Sequence, residues 1–304
     1  MKRVLTGALC AATVAMLGAA LPAHAQSADT LSKISSSGKM TFAYRESSVP
    51  FSYLEGPEKP IGFAVDISNA IADAVRKQTG KSNLTVGWQA VTSANRIPLL
   101  QNGTIDFECG STTNNRARQK DADFAVTTFV EEVRIAVKAD SGITSIKDLN
   151  GKNVATSTGT TSVQALRKHE RAGGIDFKEV MGKDHAESFL LLETGKADAF
   201  VMDGSILAAN ISRSKNPKNF KIVGEVLAVD PIACMLPKGD AKFKEAVDNS
   251  IKRQIKDGSL AKLYNKWFMQ PTPPNNAVIN LPLAGKTKEA WANPNNKPAE
   301  DYKF

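Results

Sequence analysis

A fifteen-residue pattern that occurs twice in this chain constrains its architecture more than any other feature. The first copy is Ser93-Ala94-Asn95-Arg96-Ile97-Pro98-Leu99-Leu100-Gln101-Asn102-Gly103-Thr104-Ile105-Asp106-Phe107. The second is His185-Ala186-Glu187-Ser188-Phe189-Leu190-Leu191-Leu192-Glu193-Thr194-Gly195-Lys196-Ala197-Asp198-Ala199. In each, a polar residue opens a short helix, a Leu-Leu pair packs inward, and Gly stands where a left-handed cap is wanted. Asp then precedes an apolar strand, Phe107-Glu108-Cys109 or Phe200-Val201-Met202. A single Leu-Leu-x-x-Gly-x-x-Asp junction is common. Two in matching contexts imply two structurally related lobes rather than a long solenoid.

Around the repeats, extended runs alternate with helical ones, which predicts an α/β fold. Lys39–Tyr44 reads as a first strand and Leu84–Gln89 as another. Asp66 to Gln78 reads as an amphipathic helix, with Ile67, Ala70, Ile71, Ala74 and Val75 on one face and Gly80 just beyond its end. Asp240 to Phe268 is helical in pattern, and the Pro/Asn-rich tail after Pro271 is expected to wrap over the first lobe. Apolar extended runs near Val133–Lys138 and Ile232–Leu236 are the expected lobe crossings. The first lobe is then discontinuous, residues 26–136 and 232–304, and the second, 137–231, is inserted in it. Two strands joining two lobes form a hinge, and ligands favour the cleft between domains.

The N-terminus places the chain in a compartment. Met1-Lys2-Arg3 is a short positive region, an Ala/Leu-rich stretch follows, and Ala23 and Ala25 satisfy the small-x-small cleavage rule, so residues 1–25 read as a cleaved signal peptide. No later stretch is long and apolar enough to span a bilayer. The formal charge of +8 would fall to +6 on loss of Lys2 and Arg3. The lysines are scattered, without a basic run, and export argues against nucleic acid as a partner. Cys109 and Cys234 remain after cleavage. An oxidising compartment permits a disulfide, but buried free thiols satisfy the sequence equally.

Chemistry-bearing residues cluster at two turns. Gly159-Thr160-Thr161-Ser162 follows the extended Lys152–Thr156 and precedes the helical Val163–His169. Free backbone N–H groups and hydroxyls at such a helix start suit an anion, although ordinary capping uses the same residues. Cys109-Gly110-Ser111-Thr112-Thr113-Asn114-Asn115 is the equivalent turn of the first lobe. Arg118, five residues past Thr113, reaches far enough to hold a carboxylate bidentately, with Arg116 as a competitor. Arg45 and Arg96 supply two further cations. Catalytic signatures are absent: there is no Gly-x-Ser-x-Gly elbow, no His-x-x-x-His pair, and no Cys or His at metal-ligand spacing.

These segments resemble the family 3 solute-binding proteins of polar amino-acid ABC importers, and within them the periplasmic glutamate/aspartate-binding branch. The likeness is carried by Arg45-Glu46-Ser47-Ser48-Val49-Pro50-Phe51-Ser52-Tyr53, by the first repeat, and by Phe107-Glu108-Cys109-Gly110-Ser111-Thr112-Thr113-Asn114-Asn115. Thr156-Ser157-x-Gly159-Thr160-Thr161-Ser162, Lys183-Asp184-His185, Met202-Asp203 and Lys266-Trp267-Phe268 continue it. The resemblance implies a two-lobed type II periplasmic-binding-protein fold with two hinge strands. It also implies a non-enzymatic receptor, expected to act as a monomer without cofactor or metal, that binds L-glutamate or L-aspartate and delivers it to a membrane permease. By the same resemblance Ser111, Thr113 and Arg118 grip the α-amino and α-carboxylate groups. Thr161 reaches the α-carboxylate and Asp203 pairs with the α-ammonium. Arg45, Ser93, Arg96 and His185 surround the side-chain carboxylate, His185 being expected to reach across the cleft and to take up its proton only in the closed, liganded state. Exported enzymes built on this fold, such as cyclohexadienyl dehydratases, are the alternative class. They need a positioned acid or base and a pocket for a ring, whereas the matched positions form an amino-acid grip.

Overall fold

The computed structural model describes residues 29–303, so the expected signal peptide lies outside the described residues. Two five-stranded sheets carry the chain. In the first, the order is Thr85–Ala90, Lys39–Tyr44, Phe107–Glu108, Met235–Pro237, Ala122–Phe124; in the second it is Lys178–Gly182, Asn153–Ser157, Ala199–Asp203, Phe129–Lys138, Phe220–Ile232. In both, the first three strands are mutually parallel and the fourth runs antiparallel to its two neighbours. The repeated segment explains this likeness. Each copy delivers the central strand of its sheet through a short helix, Arg96–Gln101 or His185–Glu193. Gly103 and Gly195 close these helices at φ 75°, where a side chain would be strained. The first copy opens later than its counterpart: Ser93 sits in the turn before the helix, whereas His185 is the first helical residue.

Phe129–Lys138 and Phe220–Ile232 form a long antiparallel pair and are the two crossing strands. The chain leaves the first sheet after Phe124 and enters the second at Phe129; on the return, Thr128 N–H donates to Ile232 O and Ala125 N–H to Cys234 O. Residues 133–137, within the segment expected to cross, instead pair with Ala199–Asp203 inside the second sheet. Their apolar run reflects burial of an inner strand, which a crossing does not require. On this pairing we propose lobe boundaries near residues 126–128 and 233. No helix among the described residues is long and apolar enough to cross a membrane.

Two features hold the crossing region. Cys109 and Cys234 form a disulfide across 125 residues of chain, which settles the question left open between a bridge and free thiols. The C-terminal helix Gly285–Ala292 lies against the first crossing strand: Val130 N–H donates to Thr287 Oγ1 and Trp291 Nε1–H to Thr128 O. Beyond it, Ala299 N–H donates to Asn114 O, so the tail also reaches the turn that follows Phe107–Glu108.

Candidate functional site

Turns from the two lobes meet between the sheets. Arg118 Nη2 donates to Gly159 O at 3.2 Å, Thr113 Oγ1 lies 3.1 Å from Thr161 Oγ1, and Arg45 Nη2 lies 3.4 Å from His185 Nε2. Gly159, at φ 79°, lets the backbones approach: a Cβ there would fall 2.8 Å from backbone atoms of Ala94. The nine residues expected at the site thus lie around one inter-lobe region. Arg116, the competitor of Arg118, pairs with Asp301 at 2.6 Å on the surface and takes no part.

The cations are buried beyond what local pairing explains. Arg45 is 2% exposed and Arg96 1%. Arg45 follows the strand Lys39–Tyr44, and its backbone N–H is held by Ser52 Oγ. Arg96 opens its short helix and points Nη1 at Ser111 O, 3.5 Å away, with Glu108 at 4.0 Å. Among the described residues Arg45 Nη1, Arg96 Nε and the Ser93 hydroxyl have no hydrogen-bond partner, and neither has Glu108 Oε1 beside Arg96. Buried donors without acceptors each cost about 1–3 kcal/mol, more when charged, so three converging from one lobe mark a place for an anion. Burial, then Arg96, brings the Arg45 guanidinium down to about 10; the same causes bring Arg118 down to about 9. Both stay charged at neutral pH. Arg118 Nη1 donates to Thr113 O at 2.9 Å, and the Ser111 hydroxyl shares a 2.7 Å bond with Ser48.

His185 sits among cations. Its Nδ1 lies 2.9 Å from Ser157 Oγ while Nε2 faces Arg45 Nη2. A guanidinium only donates, so Nε2 accepts and the ring is neutral with its proton on Nδ1. Burial first, then Arg45 and Arg96, hold its pKa well below the usual value. Both neighbouring charges have the sign of an imidazolium, so the protonation expected with ligand bound depends on the ligand's own carboxylate.

The second lobe contributes a helix start and a carboxylate. The helix Thr161–Gly173 begins two residues earlier than expected, and Thr160 does not cap it: its hydroxyl donates to Ser157 O. The first-turn N–H groups therefore have no capping side chain and suit an anion. Asp203 precedes the helix Gly204–Arg213, is 5% exposed, and makes no side-chain hydrogen bond among the described residues. Burial and the neighbouring Asp230 push its carboxyl up to about 7, against the pull of Arg96, Arg118 and Arg45.

Two carboxylates went unnoticed in the sequence. Asp230 and Glu131 stand opposite each other on the crossing strands. Asp230 Oδ2 accepts from Thr113 Oγ1 at 2.9 Å and from Thr161 Oγ1. Glu131 accepts from the Ser205 N–H and hydroxyl. Burial raises the pKa of both, that of Glu131 well above the usual range with Asp203 adding to it. The available signal was a charge inside an apolar run, Leu227-Ala228-Val229-Asp230-Pro231-Ile232. Among the described residues no group of acidic, His and Cys side chains is placed to hold a metal.

Two mixed α/β lobes that meet over buried cations and carboxylates are the build of a solute-binding protein. The chain belongs to the bacterial extracellular solute-binding proteins, family 3, whose model matches residues 40–270. It is 40% identical over 299 residues to the L-glutamate/L-aspartate-binding protein of Pseudomonas aeruginosa, covering 98% of this chain and 99% of the relative. It is 43% identical over 268 residues to the glutamate/aspartate import solute-binding protein of Salmonella typhimurium, covering 88% and 89%. Among solved structures, an ancestral arginine-binding protein bound to arginine matches with a TM-score of 0.68 at 30% identity, covering 76% of this chain and 98% of that one. The fold is the type II periplasmic-binding-protein fold, and the family and these relatives are transport proteins, not enzymes.

Proposed function

We propose that this chain is the exported receptor of an ABC importer, captures L-glutamate or L-aspartate between its lobes, and presents it to a membrane permease from the periplasm. The observation that carries the ligand class is the set of unpartnered buried donors on Arg45, Arg96 and Ser93. An acidic side chain satisfies them; an amide or apolar one leaves at least one guanidinium uncompensated. The two relatives named for glutamate and aspartate support the same choice. The α-carboxylate goes to Arg118, with Ser111 beside it, and to the open N-terminus of the Thr161 helix, where charge-assisted bonds and the helix dipole both favour an anion. The ammonium goes to Asp203. Contacts drawn from both lobes favour the closed population, which is how a ligand drives closure. The receptor reaches the periplasm by its cleaved leader and acts as a monomer.

Replacing both pocket arginines tests the reading. In titration calorimetry Arg45→Met/Arg96→Met should cost glutamate about 2–5 kcal/mol, as expected when a buried charge pair loses one partner, and should cost glutamine far less. Equal losses for the two ligands would assign the arginines to lobe stability and leave the acidic specificity without support.

A further inference from the structure

The crossing strand Phe220–Ile232 carries a carboxylate to which neither the repeats nor the binding motifs draw attention. Asp230 is 3% exposed, and its Oδ2 receives two hydroxyl groups. Thr113 comes from the turn after Phe107–Glu108 in the first lobe, and Thr161 from the first residue of a second-lobe helix. The two hydroxyl oxygens lie 3.1 Å apart. We infer that Asp230 is a positioning residue for ligand capture, drawing the hydroxyl protons of Thr113 and Thr161 from the two lobes onto one carboxylate oxygen.

Hydroxyl stereochemistry sets the consequence. Each threonine has one proton and two acceptor lone pairs. With both protons committed to Asp230, neither hydroxyl can donate to the other or to a ligand carboxylate. Both present lone pairs instead, and a group that touches them must donate. The α-ammonium of an amino acid is such a group, and Asp203 gives it the compensating charge. Thr161, expected to reach the α-carboxylate, becomes part of the ammonium site, and the α-carboxylate is left to Arg118 and the helix N–H groups. Asp230 also ties a first-lobe turn to a second-lobe helix, so its bonds contribute to closure whichever acidic amino acid is bound. Glu131, its cross-strand partner, is engaged by Ser205 and leaves Asp230 as the acceptor that faces the threonines.

This rests on the amino-acid reading above, so the experiment begins with calorimetric titration of the mature wild-type chain against glutamate, aspartate, glutamine and arginine. If arginine or glutamine binds in preference to the acidic pair, the proposed specificity fails while the cycle that follows still runs, on whichever ligand binds. The cycle compares wild type, Asp230→Ala, Thr161→Val and the double variant, with ligand-free melting and circular dichroism confirming that each is folded. Asp230→Ala should weaken binding at least tenfold in the wild-type background and less than threefold when Thr161 is already Val, because Asp230 acts through that hydroxyl. Asp230→Asn should be intermediate, since an amide oxygen can still accept both hydroxyl protons but lacks the charge that strengthens those bonds. Should Asp230→Ala misfold, Asp230→Asn replaces it in the cycle with the same coupling expected. Affinity within twofold of wild type, or losses from Asp230 and Thr161 that simply multiply, would overturn the assignment.

Discussion

At the scale of single residues, the site is a charge-sorting problem solved by burial. Arg45, Arg96 and Arg118 are brought together although burial works against all three charges and Arg96 adds repulsion at Arg45 and Arg118. Asp203 sits within reach of all three, yet burial and Asp230 still hold its carboxyl up to about 7. The groups facing it are these arginines, Asp230 and Glu131. An ammonium arriving beside Asp203 favours the ionised carboxylate, so its pKa falls on binding and a proton leaves. Affinity should therefore rise with pH up to about 7 and level off above it, falling below pH 7 by at most about tenfold per unit for a single linked group. Calorimetry near pH 7 in buffers of different ionisation enthalpy should register proton release. Net uptake would mean that the ammonium does not pair with Asp203.

At the scale of elements, the strands that leave the site are held by the bridge between Cys109 and Cys234. It joins the end of one central strand to the segment returning from the second lobe, and it closes a loop of 125 residues. Cross-linking loops of that size restricts the unfolded chain by up to about 4–5 kcal/mol, and losing a native disulfide typically removes about 2–5. Cys109→Ala/Cys234→Ala should thus melt several degrees lower without ligand, at about 2–4 °C per kcal/mol for a domain of this size. A melting temperature within a degree of wild type would show the bridge to be energetically idle. The elements themselves were largely legible beforehand. Lys39–Tyr44 was read from its pattern with the same bounds, and the helix Phe63–Thr79 from its apolar face. Legibility failed where tertiary context decides. The first crossing is expected on residues that pair inside the second sheet, because an inner strand is as apolar as a connecting one. Asp230 and Glu131 were missed because strand pairing brings them opposite each other, and no short motif records pairing between residues so far apart in sequence. The bond from His185 Nδ1 to Ser157 escaped notice for the same reason, because the two residues come from distant segments.

At the scale of the whole molecule, closure must be stabilised away from the ligand as well as at it. Arg213 ends the helix Gly204–Arg213 of the second lobe. Its Nη2 faces Tyr53 Oη at 3.0 Å, Thr272 Oγ1 at 3.0 Å and Pro273 O at 2.6 Å, and its guanidinium carbon lies 4.4 Å from the centre of the Tyr53 ring. All three partners belong to first-lobe segments, and none is among the residues expected to touch the ligand. Such a clasp acts on the equilibrium between open and closed forms, and a change in that equilibrium scales the apparent affinity of every ligand by the same fraction. Arg213→Met keeps most of the packing volume and removes the donors. Losing hydrogen bonds of about 1 kcal/mol each, partly offset by water in the open form, it should weaken glutamate and aspartate alike by roughly three- to thirtyfold. The ratio between them should stay at the wild-type value, and dissociation should be faster for both. Small-angle scattering at saturating ligand should still show the compact form, because mass action restores closure. A changed glutamate-to-aspartate ratio would place Arg213 among the residues that choose the ligand, and unchanged affinities would mean that its bonds persist in the open form and do not contribute to closure.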